Sequence, residues 1–399
     1  MLYSKYMMPQ GPTIIAGIDI GSTTTRVIIT EHAGSGMNPR VIGVGKTETI
    51  GISKGYVIHE EEAVRSLTGA INMAEKMANI KLDRAYVCIG GISLETHHQN
   101  GNIHLQKKEI SAKDISILHH QVTDDFLANT KNKSVLHAIP LSYNLDNEEL
   151  FADPIGLSGS QLSAQFSLVT CLTQHRDGLV NVVSRAGIDI IDIIASPVAA
   201  SVVTLSQRAK TAGCALVDIG AETLSLAVFE HDALVHVAVI PCGASLITND
   251  LALGLQVSLD EAESIKFGRK TDRTPVGKRK VLDIVEARIM DMMEIIQKRL
   301  VMWNRDRLLP GGITLVGGGS QHENIDTYVR TFLKLPVHTV SAEKIIPSKR
   351  GLDASWFSVY GVCFLGDQDP HYRTSGIAIK KFLKDARGSI REFFEQFLP

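Results

Sequence analysis

Two stretches of this sequence are variations on one unit, and that repetition constrains the fold more than any other feature. "TIIAGIDIGS" is an apolar run ending in Asp19 and Gly21, and "TTTRVIIT" resumes with β-branched residues, so the pair reads as two strands around a tight turn. In "GCALVDIGAETLSLAVFEHDALVHVAVIPCG" the theme returns: a strand into Asp218 and Gly220, a turn, a second strand and a further strand. One supersecondary unit used twice, about two hundred residues apart, predicts duplicated domains that face each other. A chain of 399 residues is too long for one small core, which agrees with that division.

A third element, "ITLVGGGSQHENI", reads as a strand, a glycine turn and the start of a helix. Any one of these loops is equally well a plain hairpin. Three in this order point to a nucleotide cleft between two similar domains. Glycines at Gly21, Gly220, Gly317, Gly318 and Gly319 let backbone N–H groups approach phosphate oxygens, and the hydroxyls of Ser22, Thr23, Thr24 and Thr25 add donors. Asp19 and Asp218 are then the carboxylates for a hydrated Mg2+ ion.

Composition excludes several classes. The formal net charge of −2 provides no basic field for nucleic acid, so none is expected as a partner. No apolar run is long enough to span a bilayer, and "MLYSKYMMPQGP" lacks the apolar core of a signal peptide. The five cysteines (Cys88, Cys171, Cys214, Cys242, Cys363) are widely spaced and form no CxxC, which predicts buried reduced thiols in a cytoplasm. No Cys/His set has metal-ligand spacing, although the chain holds fourteen histidines.

Between the repeats, "HEEEAVRSLTGAINMAEKMAN" has helical spacing with Ala63, Leu67, Ala70, Ile71 and Ala74 on one side. From about Leu94 to Val169 short strands and charged loops surround a helix near "SAKDISILHHQVTDDFLA", the texture of a small inserted domain. "LVNVVSRAGIDIIDIIASPVAASVVTL" reads as helix, strand, helix, and the segment from Leu259 to Trp303 is mainly helical with a basic, solvated turn, "GRKTDRTPVGKRK".

On these motifs the chain resembles the actin-like ATPase superfamily. "GIDIGSTTTRV", Asp19 to Arg26 included, is similar to its first phosphate loop, "LVDIGAETLSLAVF" to its second, and Gly317 to Ser320 to its adenosine loop. The resemblance implies an α/β fold, two duplicated RNase H-like domains flanking the cleft, with ATP and Mg2+ as cofactors. It gives Glu263 and Lys266 of "EAESIKFG" a place beside the nucleoside; otherwise they are a solvated pair on a helix face. In the second loop, Asp218, Gly220, Ala221, Glu222 and Thr223 depart from the family's D-x-G-G-G-T: Ala221 and Glu222 replace two glycines, and Glu222 either repels phosphate or faces away. Ser196 stands where hydrolytic relatives place Gln or Glu, so no catalytic residue is assigned and hydrolysis is expected to be slow.

Within the superfamily, sugar kinases need a carboxylate base for which no second acidic motif is found, and dehydratase activators need cluster cysteines that are absent. "SVLHAIPLSYNLDNEELFADPIGLSGSQLSAQFSLVT" is similar instead to the signature of the FtsA family of bacterial cell-division proteins, with His137, Ile139 and Pro140, then "YNLD" and "DPIGLSG". That resemblance implies an N-terminal extension at 1–12, domain 1A at 13–83, 169–210 and 346–380, and an inserted α+β subdomain 1C at 84–168. Domain 2A falls at 211–255 and 306–345, subdomain 2B at 256–305, a linker at 381–388 and a terminal amphipathic helix at 389–398. It also implies filaments of the protein itself, binding of the FtsZ C-terminal tail around Leu259 to Trp303, other divisome partners, and a peripheral place on the cytoplasmic membrane at the division site. The rivals are an actin-like platform of pilus systems resembling PilM, and a small-molecule kinase.

The tail "GSIREFFEQFLP" puts Ile390, Phe393, Phe394, Phe397 and Leu398 on one helix face, opened by Gly388 and an S-x-x-E capping box at Ser389 and Glu392. Docking on the core, docking in a partner's groove and lying in a membrane interface all fit such a face; FtsA-like proteins end in a membrane-targeting helix, and the resemblance favours the membrane. Full burial of those side chains yields about 8–15 kcal/mol as an upper limit, and ordering the segment costs on the order of 10 kcal/mol. The anchor is therefore expected to be weak, helped by Lys380, Lys381, Lys384 and Arg387 and by many tails in a row.

Overall fold

The computed structural model describes residues 13–32, 38–105, 109–150, 153–269, 277–348 and 351–367. The expected terminal helix and its basic approach, Lys380 to Leu398, lie outside the described residues.

The first repeat unit is an antiparallel hairpin of Thr13–Ile20 and Thr24–His32, in register from Thr13 opposite His32 to Ile20 opposite Thr25. It sits in a five-stranded sheet of order Asp189–Ala195, Arg84–Ile89, Thr13–Ile20, Thr24–His32, Arg40–Glu48, whose first three strands run parallel. The β-branched runs suit strands buried on both faces. Helix Glu60–Ala78 lies on one face with Ala63, Leu67, Ala70, Ile71 and Ala74 buried, the stripe its spacing predicts, and three glutamates in its first turn face the positive end of its dipole. Helices Ser196–Thr204 and Phe357–Asp367 cover the other face. They cross so closely that a Cβ on Gly361 would lie 2.0 Å from the Ala199 carbonyl oxygen, a contact only glycine permits.

The second unit repeats this plan. Cys214–Ile219, Leu224–Glu230 and Ala233–Ile240 form the meander, and Ile313–Val316 and Val337–Thr339 add parallel strands beside its first member. Beneath this sheet, helix Lys278–Met302 buries Val285, Ile289, Met292, Met293, Ile296 and Leu300. The two sheets share strand order and direction, which makes the domains structural duplicates in an actin-like α/β fold.

The inserted subdomain contributes Glu95–His104, Lys133–Leu145, Glu148–Leu150 and Gln161–Leu172 around helix Ala112–Asn129. That helix starts at Ser111 with a capping box to Asp114 and packs Leu118, Val122 and Phe126 on Leu162, Ala164, Phe166 and Leu168. Covalently the insert belongs to the first domain. Its sheet nevertheless joins the second: Glu95 pairs with Ala238, and the order runs Val337–Thr339, Ile313–Val316, Cys214–Ile219, Leu224–Glu230, Ala233–Ile240, Glu95–His104, Gln161–Leu172, Lys133–Leu145, Glu148–Leu150. Side chains secure the joint, with Thr96 Oγ1 accepting from Val237 N–H at 3.1 Å and Ser167 donating to the Val235 carbonyl at 3.3 Å. All five cysteines are buried and unpaired. Among the described residues no helix is long and apolar enough to cross a membrane.

Candidate functional site

The two hairpins present their turns to one cleft, a cavity of about 1510 Å³ lined by residues of both domains. The turns are built alike: Gly21 N–H donates to Thr24 O at 3.1 Å, and Gly220 N–H to Thr223 O at 2.8 Å. Each places an aspartate at the strand end, Asp19 and Asp218, both in the cleft wall. Burial raises both carboxyls above the usual range; the charge of Asp19 adds to this at Asp218, which reaches about 6, while Arg26 opposes it at both. Two shielded carboxyls, one of which discourages ionisation of the other, are suited to a divalent cation.

Register supplies the next groups. Asp19 lies opposite Arg26, and Arg26 opposite Lys46, so a carboxylate and two cations form a row across three strands, and all three line the cleft. Arg26 is largely shielded, 3.8 Å from Asp19, with Trp356 5.9 Å from its guanidinium carbon and its Nε buried without a hydrogen-bond partner among the described residues. Like charges opposite each other on adjacent strands, one with an unused buried donor, favour an anion between them.

Gly317, Gly318 and Gly319 follow strand Ile313–Val316 into the cleft, where the chain makes a 3-10 turn before helix Ile325–Leu333. Gly317 has φ +85°, and a Cβ there would lie 2.2 Å from Asp218 Oδ1. Also in the cleft wall, Lys266 Nζ donates to Glu263 at 2.6 Å and to Thr248 Oγ1 at 2.9 Å, and Thr248 also bonds Glu263. Glu263 and Lys266 are thus fixed in the cleft wall with buried Thr248, not a free pair on an outer face. Ser196 is buried at the first position of its helix and lines the cleft against Gly90. The preceding Ala195 N–H donates to His137 Nε2 of the inserted subdomain at 3.0 Å.

Ser22, Thr23, Thr24, Gly220, Ala221 and Thr223 line the cleft as the motifs suggest. Three residues of the same motifs turn elsewhere. Thr25 is buried with its hydroxyl 2.7 Å from that of Thr49, Ser320 donates back to Gly317 O at 2.8 Å, and Glu222 reaches across the cleft mouth to the first domain. Strand alternation carries the signal for Thr25, because Thr24 and Arg26 share the cleft-facing parity and Thr25 does not.

Sequence reasoning missed Lys46, Thr248 and Asp353. Burial alone would raise the Asp353 carboxyl, but hydrogen bonds from Ser355 and Gln321 and the charge of Arg26 hold it below the usual range. Its D-x-S cap in "LDASW" was the available signal.

Similarity to known proteins agrees with this geometry. Residues 215–359 match the family model "Cell division protein FtsA" and residues 91–170 match "SHS2 domain inserted in FTSA", together more than half of the chain. The cell division protein FtsA of Pseudomonas aeruginosa is 29% identical over 350 residues, covering 82% of this chain and 83% of that protein. For the FtsA of Bacillus subtilis the figures are 28% over 393 residues, 92% and 83%. Among solved structures, a PilM–PilN type IV pilus biogenesis complex superposes with TM-score 0.67 at 15% identity, covering 89% of this chain and 99% of that one. MreB5 of Spiroplasma citri bound to AMPPNP gives 0.50 at 12%, covering 96% and 99%. At such identities the structural likeness shows the fold alone.

Proposed function

The chain belongs to the FtsA family of actin-like cell division proteins, and from that premise we propose that it binds ATP with Mg2+ in the cleft, assembles into filaments, and holds FtsZ polymers at the cytoplasmic face of the membrane through the helix at 389–398. The observation that carries the nucleotide part is the convergence of two equivalent turns, each with its aspartate, on one cavity. The residues fit the cofactor: Asp19 and Asp218 are shielded carboxyls in want of a cation, and Arg26 has a buried Nε in want of an acceptor.

Asp19 and Asp218 would hold the metal through water, Arg26 and Lys46 would take phosphate oxygens, and Glu263 and Lys266 with Thr248 would flank the nucleoside. The bound magnesium would offset the charge of the phosphate chain. Ser196 offers a hydroxyl where a stronger acceptor would orient water better, so turnover is slow and nucleotide acts mainly on domain closure. The five apolar side chains of the tail, Ile390, Phe393, Phe394, Phe397 and Leu398, supply a weak anchor that works in numbers.

Sedimentation with liposomes containing anionic lipid tests the anchor. The intact chain pellets with vesicles and a chain ending at Arg387 does not; equal pelleting removes the membrane role and favours a protein-docking tail of the PilM kind. Co-pelleting of the intact chain with FtsZ filaments, lost when the FtsZ tail is removed, tests the tether.

A further inference from the structure

Where the first turn carries the hydroxyl of Thr23, the second carries an acidic side chain, Glu222. Glu222 stands at its tip between Ala221 and Thr223, which line the cleft, yet its own carboxylate leaves the domain. Oε2 accepts the Lys54 backbone N–H at 2.6 Å and the Ser53 hydroxyl at 3.1 Å, both on the small hairpin of Ile52–Ser53 and Tyr56–Val57 in the first domain. We infer that Glu222 is a strap that closes the mouth of the cleft with the protein's own carboxylate, so that the domains are drawn together at the phosphate end whatever the length of a bound phosphate chain.

Both ends of the strap are fixed, which is what lets it transmit force. At its root, Ala244 N–H donates to Gly220 O at 2.9 Å and Ser245 N–H to Ala221 O at 2.8 Å, pinning the turn to its own domain. At its seat, Lys54 O accepts from Ile92 N–H at 3.3 Å, and Gly55 O accepts from His175 Nε2 at 2.9 Å. A carbonyl only accepts, so His175 Nε2 carries the proton, and Nδ1 of the neutral ring accepts from Ser93 Oγ at 2.7 Å. Burial lowers the pKa of this ring, which agrees with neutrality, and Tyr56 stacks on it at 4.4 Å. With root and seat both held, the domains cannot separate at this edge without breaking two hydrogen bonds to a carboxylate, the stronger kind.

Gly55 and Gly90 also line the cleft, and a Cβ on Gly90 would lie 3.2 Å from Ser196 Oγ. The seat is therefore next to the expected site of hydrolysis, and opening the strap shifts the wall that Ser196 faces. A glycine in place of Glu222 would leave closure to the ligand; this chain supplies part of closure itself.

The kinetic part rests on the nucleotide reading above, whereas the strap itself can be read without nucleotide. In the full chain, hydrogen exchange at the Lys54 amide, followed by mass spectrometry of peptides across residues 52–57, is expected to quicken about tenfold in Glu222→Ala, with Glu222→Gln in between. Release of fluorescent N-methylanthraniloyl ADP and ATP is expected to quicken by a similar factor for both nucleotides in Glu222→Ala. Unchanged exchange at Lys54 in both variants overturns the strap. Faster exchange with faster release of ATP alone overturns its indifference to phosphate chain length. A wild-type chain that binds neither probe refutes the nucleotide reading and leaves the exchange result to decide the strap.

Discussion

The two turns share a backbone and differ in charge. Around the first, Asp19 has Arg26 and Lys46 as successive cross-strand neighbours, and the tip carries the hydroxyls of Ser22 and Thr23. Around the second, Asp218 has Ser225 and then Val239, and the tip carries Ala221 and Glu222. On the proposed reading the duplicated geometry supports divided labour: both turns would give a carboxylate to the metal, the first would add a cationic seat for phosphate, and the second adds a fastening to the opposite domain. Duplication fixes where backbone groups point, while the side chains decide what each copy contributes.

Substitutions that damage one copy at a time sharpen this contrast. Gly317→Val has the largest expected effect, since a β-branched residue at φ +85° meets Asp218 Oδ1. It should cost about 3 kcal/mol or more in urea unfolding and abolish nucleotide binding. Ser22→Ala with Thr23→Ala removes donors from the first tip and is expected to weaken ATP binding about tenfold in calorimetry, without quickening exchange at Lys54. The same exchange change as in Glu222→Ala would erase the distinction between the turns.

Asp218→Asn works in the other direction. The folded pKa of Asp218 is raised to about 6, so its favourable contribution is present at low pH and is lost as pH rises through about 6. At pH 7.5 without magnesium the asparagine variant should therefore be more stable, by about 1–2 kcal/mol, and the gain should shrink as pH falls below about 6 and vanish only below the ordinary carboxylate pKa of about 4. His137 has the opposite sign. Its pKa is lowered to about 4 by burial, and its Nε2 accepts the Ala195 N–H, so its contribution holds above about 6.5 and is lost as pH falls towards 4. The smallest expected effect is a shallower fall of the urea midpoint between pH 7 and pH 5 in His137→Gln, whose amide oxygen can still accept.

Much of this was legible because it is local. The repeated strand-turn-strand units, the buried stripe from Ala63 to Ala74 and the helix begun at Ser111 are set by periodicity and capping within a few residues. Groups assembled from distant segments were not legible: Thr248 with Glu263 and Lys266, Asp353 near Arg26, and Glu222 with Lys54 come together only in three dimensions. The joining of the inserted sheet to the second domain rests on the pairing of Glu95 with Ala238, which no local pattern announces.

The central claim is that two equivalent turns act as one site, and calorimetric titration of Mg-ATP into the full chain, Asp19→Asn and Asp218→Asn tests it most directly. Binding should weaken to a similar degree in both variants, on the order of a hundredfold. Binding at wild-type strength in either variant would contradict it.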